Sequence, residues 1–133
     1  MKRSERPRGM TATGKTREAV IVFFDAVIDR RFSDADKALD EVRNRKNPNP
    51  EFQEGYIKAL EGLLTSSRSG DERDFFNKGN YTEEGLEKYS KDFKEILLKG
   101  RPKPFDVGYF SAWLDLVHYR LAAKKFSKPP SSE

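Results

Sequence analysis

The sequence predicts an all-α protein of about five helices in antiparallel hairpins, packed as a helical bundle or an array of helix pairs. Two observations lead there. Apolar residues recur at i, i+3, i+4 and i+7 in successive segments, and capping residues, prolines or glycines punctuate the boundaries between them. A third removes the main competitor. Only residues 19–24 have strand-like composition, and their apolar pattern continues past Asp25 at helical spacing.

Residues 1–15 read as a flexible basic tail, polar, with Pro7, Gly9 and Gly14 and no periodicity. From Thr16 the text turns helical. Val20, Phe23, Phe24, Val27 and Ile28 form a stripe that Ile21 and Val22 widen, so this helix is expected to be central and covered on more than one side. Ser33 reads as the next N-cap, with Asp34 and Asp36 in the first turn, where the helix dipole favours acid. Ala35, Ala38, Leu39 and Val42 give that short helix a thin apolar stripe. Asn49-Pro50-Glu51 is the strongest helix start in the chain: a cap, a proline at the first position, then an acid. Phe52, Tyr56, Ala59, Leu60, Leu63 and Leu64 share one face of the helix it opens. Residues 66–70 end it, and residues 71–76 read as a short helical piece. Thr82 caps the next helix, lined by Leu86, Tyr89, Phe93, Ile96 and Leu97, with Gly100 as its C-cap. Residues 101–104 form a stiff, proline-rich linker. Phe110, Trp113, Leu114, Val117 and Leu121 mark a last helix from near Asp106 to about Phe126. The domain thus spans 16–126, between tails at 1–15 and 127–133, with Phe24, Leu60, Phe93 and Trp113 expected in its core.

A faint internal echo accompanies this pattern. Val20, Phe24, Val27 and Ile28 map onto Phe52, Tyr56, Ala59 and Leu60 at a shift of 32 residues. Ala26, Ala38 and Pro50 fall at the spacing of the small residues and terminal proline of the tetratricopeptide family, so the first helix pair resembles one such repeat. Asp25 and Asp29 stand where that family has an apolar residue and a tyrosine. The resemblance implies helix-pair packing and carries over no functional residues.

Composition limits the classes of function. A chain of 133 residues is one domain with a modest core. It has no cysteine, so disulfides and thiolate metal sites are excluded. No apolar run approaches the roughly 20 residues of a membrane span, and a cytoplasmic protein is the default expectation. The net charge of +4 is unevenly spread: residues 1–17 carry +5, residues 118–133 carry +3, and the body between them carries −4. Basic ends of this kind attract phosphate backbones or acidic surfaces.

Residues 9–16, Gly-Met-Thr-Ala-Thr-Gly-Lys-Thr, match the phosphate-loop pattern G-x-x-x-x-G-K-[ST] letter for letter. That loop works at the end of a buried strand, and the preceding residues are charged and include Pro7. The expectation is therefore that the match binds no nucleotide. His118 is the only histidine; Asp115-x-x-His118 has the spacing of half a di-metal site, and one chain holds no second half. Glu51-x-x-Glu54 and Asp71-x-x-Asp74 are similar to the acidic pairs of all-α nucleotide pyrophosphatases, a resemblance that implies Mg²⁺ held between carboxylates.

These residues support three functional expectations. The first is a non-catalytic helical protein-interaction module, an adaptor or accessory subunit that needs no cofactor and binds another protein. Its candidate contacts are Arg3, Arg6, Arg8, Lys15, Arg17, Lys124 and Lys125 at the basic ends, with Tyr109 and Trp113 as aromatic anchors. The second is an RNA- or ribosome-associated protein whose basic ends track phosphates. The third is a magnesium-dependent hydrolase built on Glu51, Glu54, Asp71 and Asp74.

Overall fold

A computed structural model describes residues 10–69, 82–99 and 103–127, with side chains through residue 122, and every regular element in it is a helix. The helices are α1 (Gly14–Ile28), α2 (Phe32–Asn44), α3 (Pro50–Ser69), α4 (Glu83–Leu98) and α5 (Pro104–Ser127).

Two starts follow the sequence signals. The Asn49 side chain accepts the Phe52 N–H at 3.2 Å, and Thr82 Oγ1 accepts the Gly85 N–H at 3.1 Å. Pro104 opens α5 two residues before Asp106, where its missing N–H has no role. Ser33 is not a cap: α2 begins at Phe32, its N-cap is Arg31, and no side chain closes it. The expected piece at 71–76 and the C-cap at Gly100 lie outside the described residues.

The turn from α1 to α2 is tight. The Arg31 N–H reaches the Ala26 carbonyl at 2.7 Å and the Arg30 N–H reaches Val27 at 3.1 Å, a helix end that needs a left-handed residue. Arg30 takes that position at φ 61°, where glycine is the usual choice. Its side chain offsets the strain. Nη1 donates to the Ser67 carbonyl at 2.9 Å, and the guanidinium lies 5.0 Å from the centre of the Phe32 ring.

α1 and α2 form an antiparallel hairpin. α4 runs antiparallel to α5, with Ser90 opposite His118 and Phe93 opposite Phe110. α5 lies against α3 as well as α4 and touches α1, where Phe24 meets Tyr119 at 5.4 Å. Ser111, Ala112, Leu114, Asp115, Leu116 and Val117 are all buried. The central helix is therefore α5 rather than α1, which keeps Val22 and Ile28 exposed. A solenoid repeat touches only its neighbours along the chain. Here the last helix returns to α3 and α1, so the architecture is a bundle.

α3 and α5 cross backbone to backbone. A Cβ on Gly108 would overlap the Phe52 carbonyl, reaching its carbon at 2.8 Å and the Tyr56 nitrogen at 3.0 Å. A Cβ on Gly55 would likewise overlap the Phe105 carbonyl and lie 3.1 Å from the Tyr109 nitrogen. One turn further along each helix, Ala59 and Ala112 are fully buried, extending the close approach.

Phe24 and Leu60 are in the core as expected, while Phe93 and Trp113 are only half-buried. Leu60 has no exposed surface, so Leu60→Ala should cost about 2–5 kcal/mol in chemical denaturation. A cost below about 0.5 kcal/mol would contradict this placement.

Candidate functional site

Residues 10–13, directly ahead of α1, are not a free tail. Met10 and Ala12 are buried in the main core cluster, so residues 10–15 belong to the folded body, and a flexible tail cannot extend through residue 15. The residue that holds this strap is Asp115, in the middle of α5 and wholly buried. Its carboxylate accepts the Thr11 N–H on one oxygen. The other accepts the Thr11 hydroxyl at 2.8 Å, the Ala12 N–H at 3.2 Å and the Tyr56 hydroxyl at 2.6 Å. Burial lifts the Asp115 carboxyl above its ordinary range, and the four donors pull in the opposite direction. Tyr56 is pushed well above its usual value, first by burial and then by the neighbouring carboxylate. Arg17 ties the strap from the other side, with Nε donating to the Ala12 carbonyl at 2.9 Å.

Beside this clasp lies a cleft of about 120 Å³. Thr11, Thr13 and Thr16 form one wall, Phe52 and Tyr56 another, and Arg45 and Lys46 stand at the end of α2. No carboxylate lines it. The first turn of α1 holds Lys15 and Arg17, carries no acid, and receives no cap bond from Thr13. That is the reverse of what the helix dipole favours. Gln53 Nε2 donates to the carbonyls of Val42 at 3.1 Å and Arg45 at 2.6 Å, quenching the negative end of α2 next to the cleft.

The phosphate-loop match falls on this strap and the start of α1. The Thr11 and Ala12 N–H groups of this stretch point at Asp115.

The other sequence candidates are dispersed. Tyr109 and Trp113 are half-buried on α5 in a row of aromatics. Phe105 stacks on Tyr109 at 6.5 Å, Tyr109 meets Phe110 edge-on at 5.6 Å, and Phe110 reaches Phe93 of α4 at 6.2 Å. Lys15 is exposed and Arg17 half-buried. Arg3, Arg6, Arg8, Asp71 and Asp74 lie outside the described residues, as do the side chains of Lys124 and Lys125. Glu51 and Glu54 are exposed in the first two turns of α3. Among the described residues no three acidic or histidine side chains gather where a metal ion could sit. Asp115 and His118 serve different neighbours: Asp115 holds the strap, and His118 faces Ser90 at 3.4 Å. Burial, helped by Lys94, lowers the His118 pKa from its usual value.

Sequence reasoning missed the clasp and the glycine crossing. The signal for the first was an aspartate inside the apolar run of Leu114, Leu116 and Val117. For the second it was Gly55 and Gly108, each four residues before an alanine. The strap makes a prediction. Relative to a chain that lacks residues 1–8, deleting 1–13 also removes Met10, Ala12 and the clasp and should cost about 3 kcal/mol or more. Equal stability of the two truncations, in urea, would show that the strap contributes nothing.

No protein-family model matches the chain, and no curated protein and no solved structure is significantly similar to it. Among the described residues no helix is long and apolar enough to cross a membrane.

Proposed function

We propose that the chain is a non-catalytic interaction module that binds another protein through the aromatic face shared by α4 and α5. The supporting observation is the row of Phe105, Tyr109, Phe110 and Trp113, each left half-buried, joined through Phe93 to α4. On α4, Ile96 stands one turn after Phe93 and is 43% exposed. Tyr and Trp that are only partly covered anchor interfaces, because they bury much area for little conformational entropy. The test is affinity capture from native lysate, with nuclease, using the full chain and Ile96→Glu as baits. Ile96 is exposed, so the variant should fold normally and lose a partner of the full chain by tenfold or more, about 1.4 kcal/mol. Retention of every partner at full yield would remove this face from consideration.

A second reading, an RNA-associated protein, is favoured by the cleft, whose rim carries Arg45 and Lys46 with no acidic lining. RNA affinity measured against salt should then fall with a slope of about −0.7 per phosphate contacted. Charge reversal at Arg45 and Lys46 should flatten that slope. An unchanged slope would place any RNA contact elsewhere.

A further inference from the structure

The phosphate-loop pattern at residues 9–16 has a use in this fold that neither functional reading absorbs. In a nucleotide-binding loop, backbone N–H groups converge on an oxyanion. The N–H groups of Thr11 and Ala12 also converge on one, joined by the hydroxyls of Thr11 and Tyr56. The oxyanion is the carboxylate of Asp115, supplied from 104 residues away in sequence. Among the described residues no cation takes part, and oriented dipoles hold the carboxylate as they would a bound anion.

The same atoms border the cleft. Thr11, Ala12 and Tyr56 line both the clasp and the open space, and Arg45 and Lys46 stand at that space without an ion pair among the described residues. An anion entering there would meet donors that are already filled. We propose that Thr11, Ala12 and Tyr56 form an oxyanion receptor whose ligand is the chain's own Asp115, which shuts out external carboxylates and phosphates. A free anion could enter only by displacing Asp115, which would leave that buried carboxylate without its donors. The native chain therefore stays closed to them. Removing the carboxylate frees three donor groups and the Tyr56 hydroxyl around a space of carboxylate size, connected to solvent through the cleft.

The test is anion rescue, independent of whatever the outer face binds. Thermal unfolding of the full-length wild type, Asp115→Ala and Asp115→Asn is followed by circular dichroism. The solvents are about 0.1 M sodium formate, inorganic phosphate of equal ionic strength, or sodium chloride as the control. Formate carries the trigonal group that the alanine variant lacks, and phosphate reports whether the larger oxyanion fits. Asp115→Ala should gain roughly 4 °C or more in formate over chloride. The wild type and Asp115→Asn, whose sites are still occupied by a side chain, should shift by less than about 1 °C. If Asp115→Ala is unfolded in chloride, recovery of its helical signal in formate reads the same binding. Tyr56→Phe added to Asp115→Ala removes one donor and should shrink the response, which a general salt effect would not do. The proposal is overturned if Asp115→Ala responds no more than the wild type to both anions, stays unfolded in both, or responds equally with and without the Tyr56 hydroxyl.

Discussion

Gly108→Ala should cost roughly 4 kcal/mol or more, enough to unfold most of a small domain. The added methyl would overlap the Phe52 carbonyl, and its other neighbours are the backbone atoms of α3. No rotamer change relieves such a contact; the two helices must move apart. They would then lose the burial of Ala59, Ala112 and Tyr56 that their closeness produces. Gly55→Ala should behave alike, because it presents the reciprocal clash to Phe105. Gly62 is the control. It lies in the same helix α3, is exposed, and has no atom within 4 Å of the point a Cβ would occupy, so Gly62→Ala should stabilise by about 0.5–1 kcal/mol through helix propensity. Guanidinium denaturation of the three variants decides the matter. A Gly108→Ala protein within about 1 kcal/mol of wild type would mean that α3 and α5 do not cross backbone to backbone.

The second large effect belongs to Asp115. Asp115→Ala should cost about 2–4 kcal/mol, because it leaves the Thr11 and Ala12 N–H groups and the Tyr56 hydroxyl without their acceptor. Tyr56→Phe deletes one of those donors and should cost about 1–2 kcal/mol. The two changes share one hydrogen-bond network, so the double variant should lose less than the sum. Additive losses would mean that Tyr56 and Asp115 contribute separately. A pH signature goes with this pair. Burial raises the Asp115 carboxyl above 3.8, so the folded chain holds that proton to higher pH than the unfolded chain does. Stability from this group is therefore greatest below 3.8 and declines as pH rises from there through the raised folded-state value. Asp115→Asn should flatten that decline.

The helices were legible in the sequence because their determinants are local. Asn49, Pro50 and Thr82 act within one turn of themselves, and the stripe of Ala35, Ala38, Leu39 and Val42 buries as its spacing dictates. What was not legible depends on partners far along the chain. Ser33 looks like a cap from its neighbours, yet the tight Schellman-type turn at Arg30 sets the start of α2 two residues earlier. Residues 10–12 show no periodicity because the strap is held by hydrogen bonds to Asp115 and by two apolar contacts, neither of which leaves a pattern. Trp113 and Phe93 were expected in the core by residue type. Small residues at 55, 59, 108 and 112 draw α3 and α5 together and leave the larger rings at the margin. The candidate site suffered most, since a letter-perfect phosphate loop carries no sign that its donors are already taken.

The glycine crossing also bears on the order in which the protein can fold during synthesis. Gly108 leaves the ribosome 53 residues after Gly55, an interval of roughly 3–10 s at ordinary elongation rates. Through that interval α1, α2 and α3 are available to pair, but the groove on α3 that receives α5 is bare, and Thr11 has no carboxylate to meet. The nascent chain must therefore carry Tyr56, Ala59 and Leu63 uncovered until the last helix arrives. A pulse of protease applied to stalled chains ending before residue 104 should cut within residues 10–13 and α3, and chains extended well past residue 127 should resist.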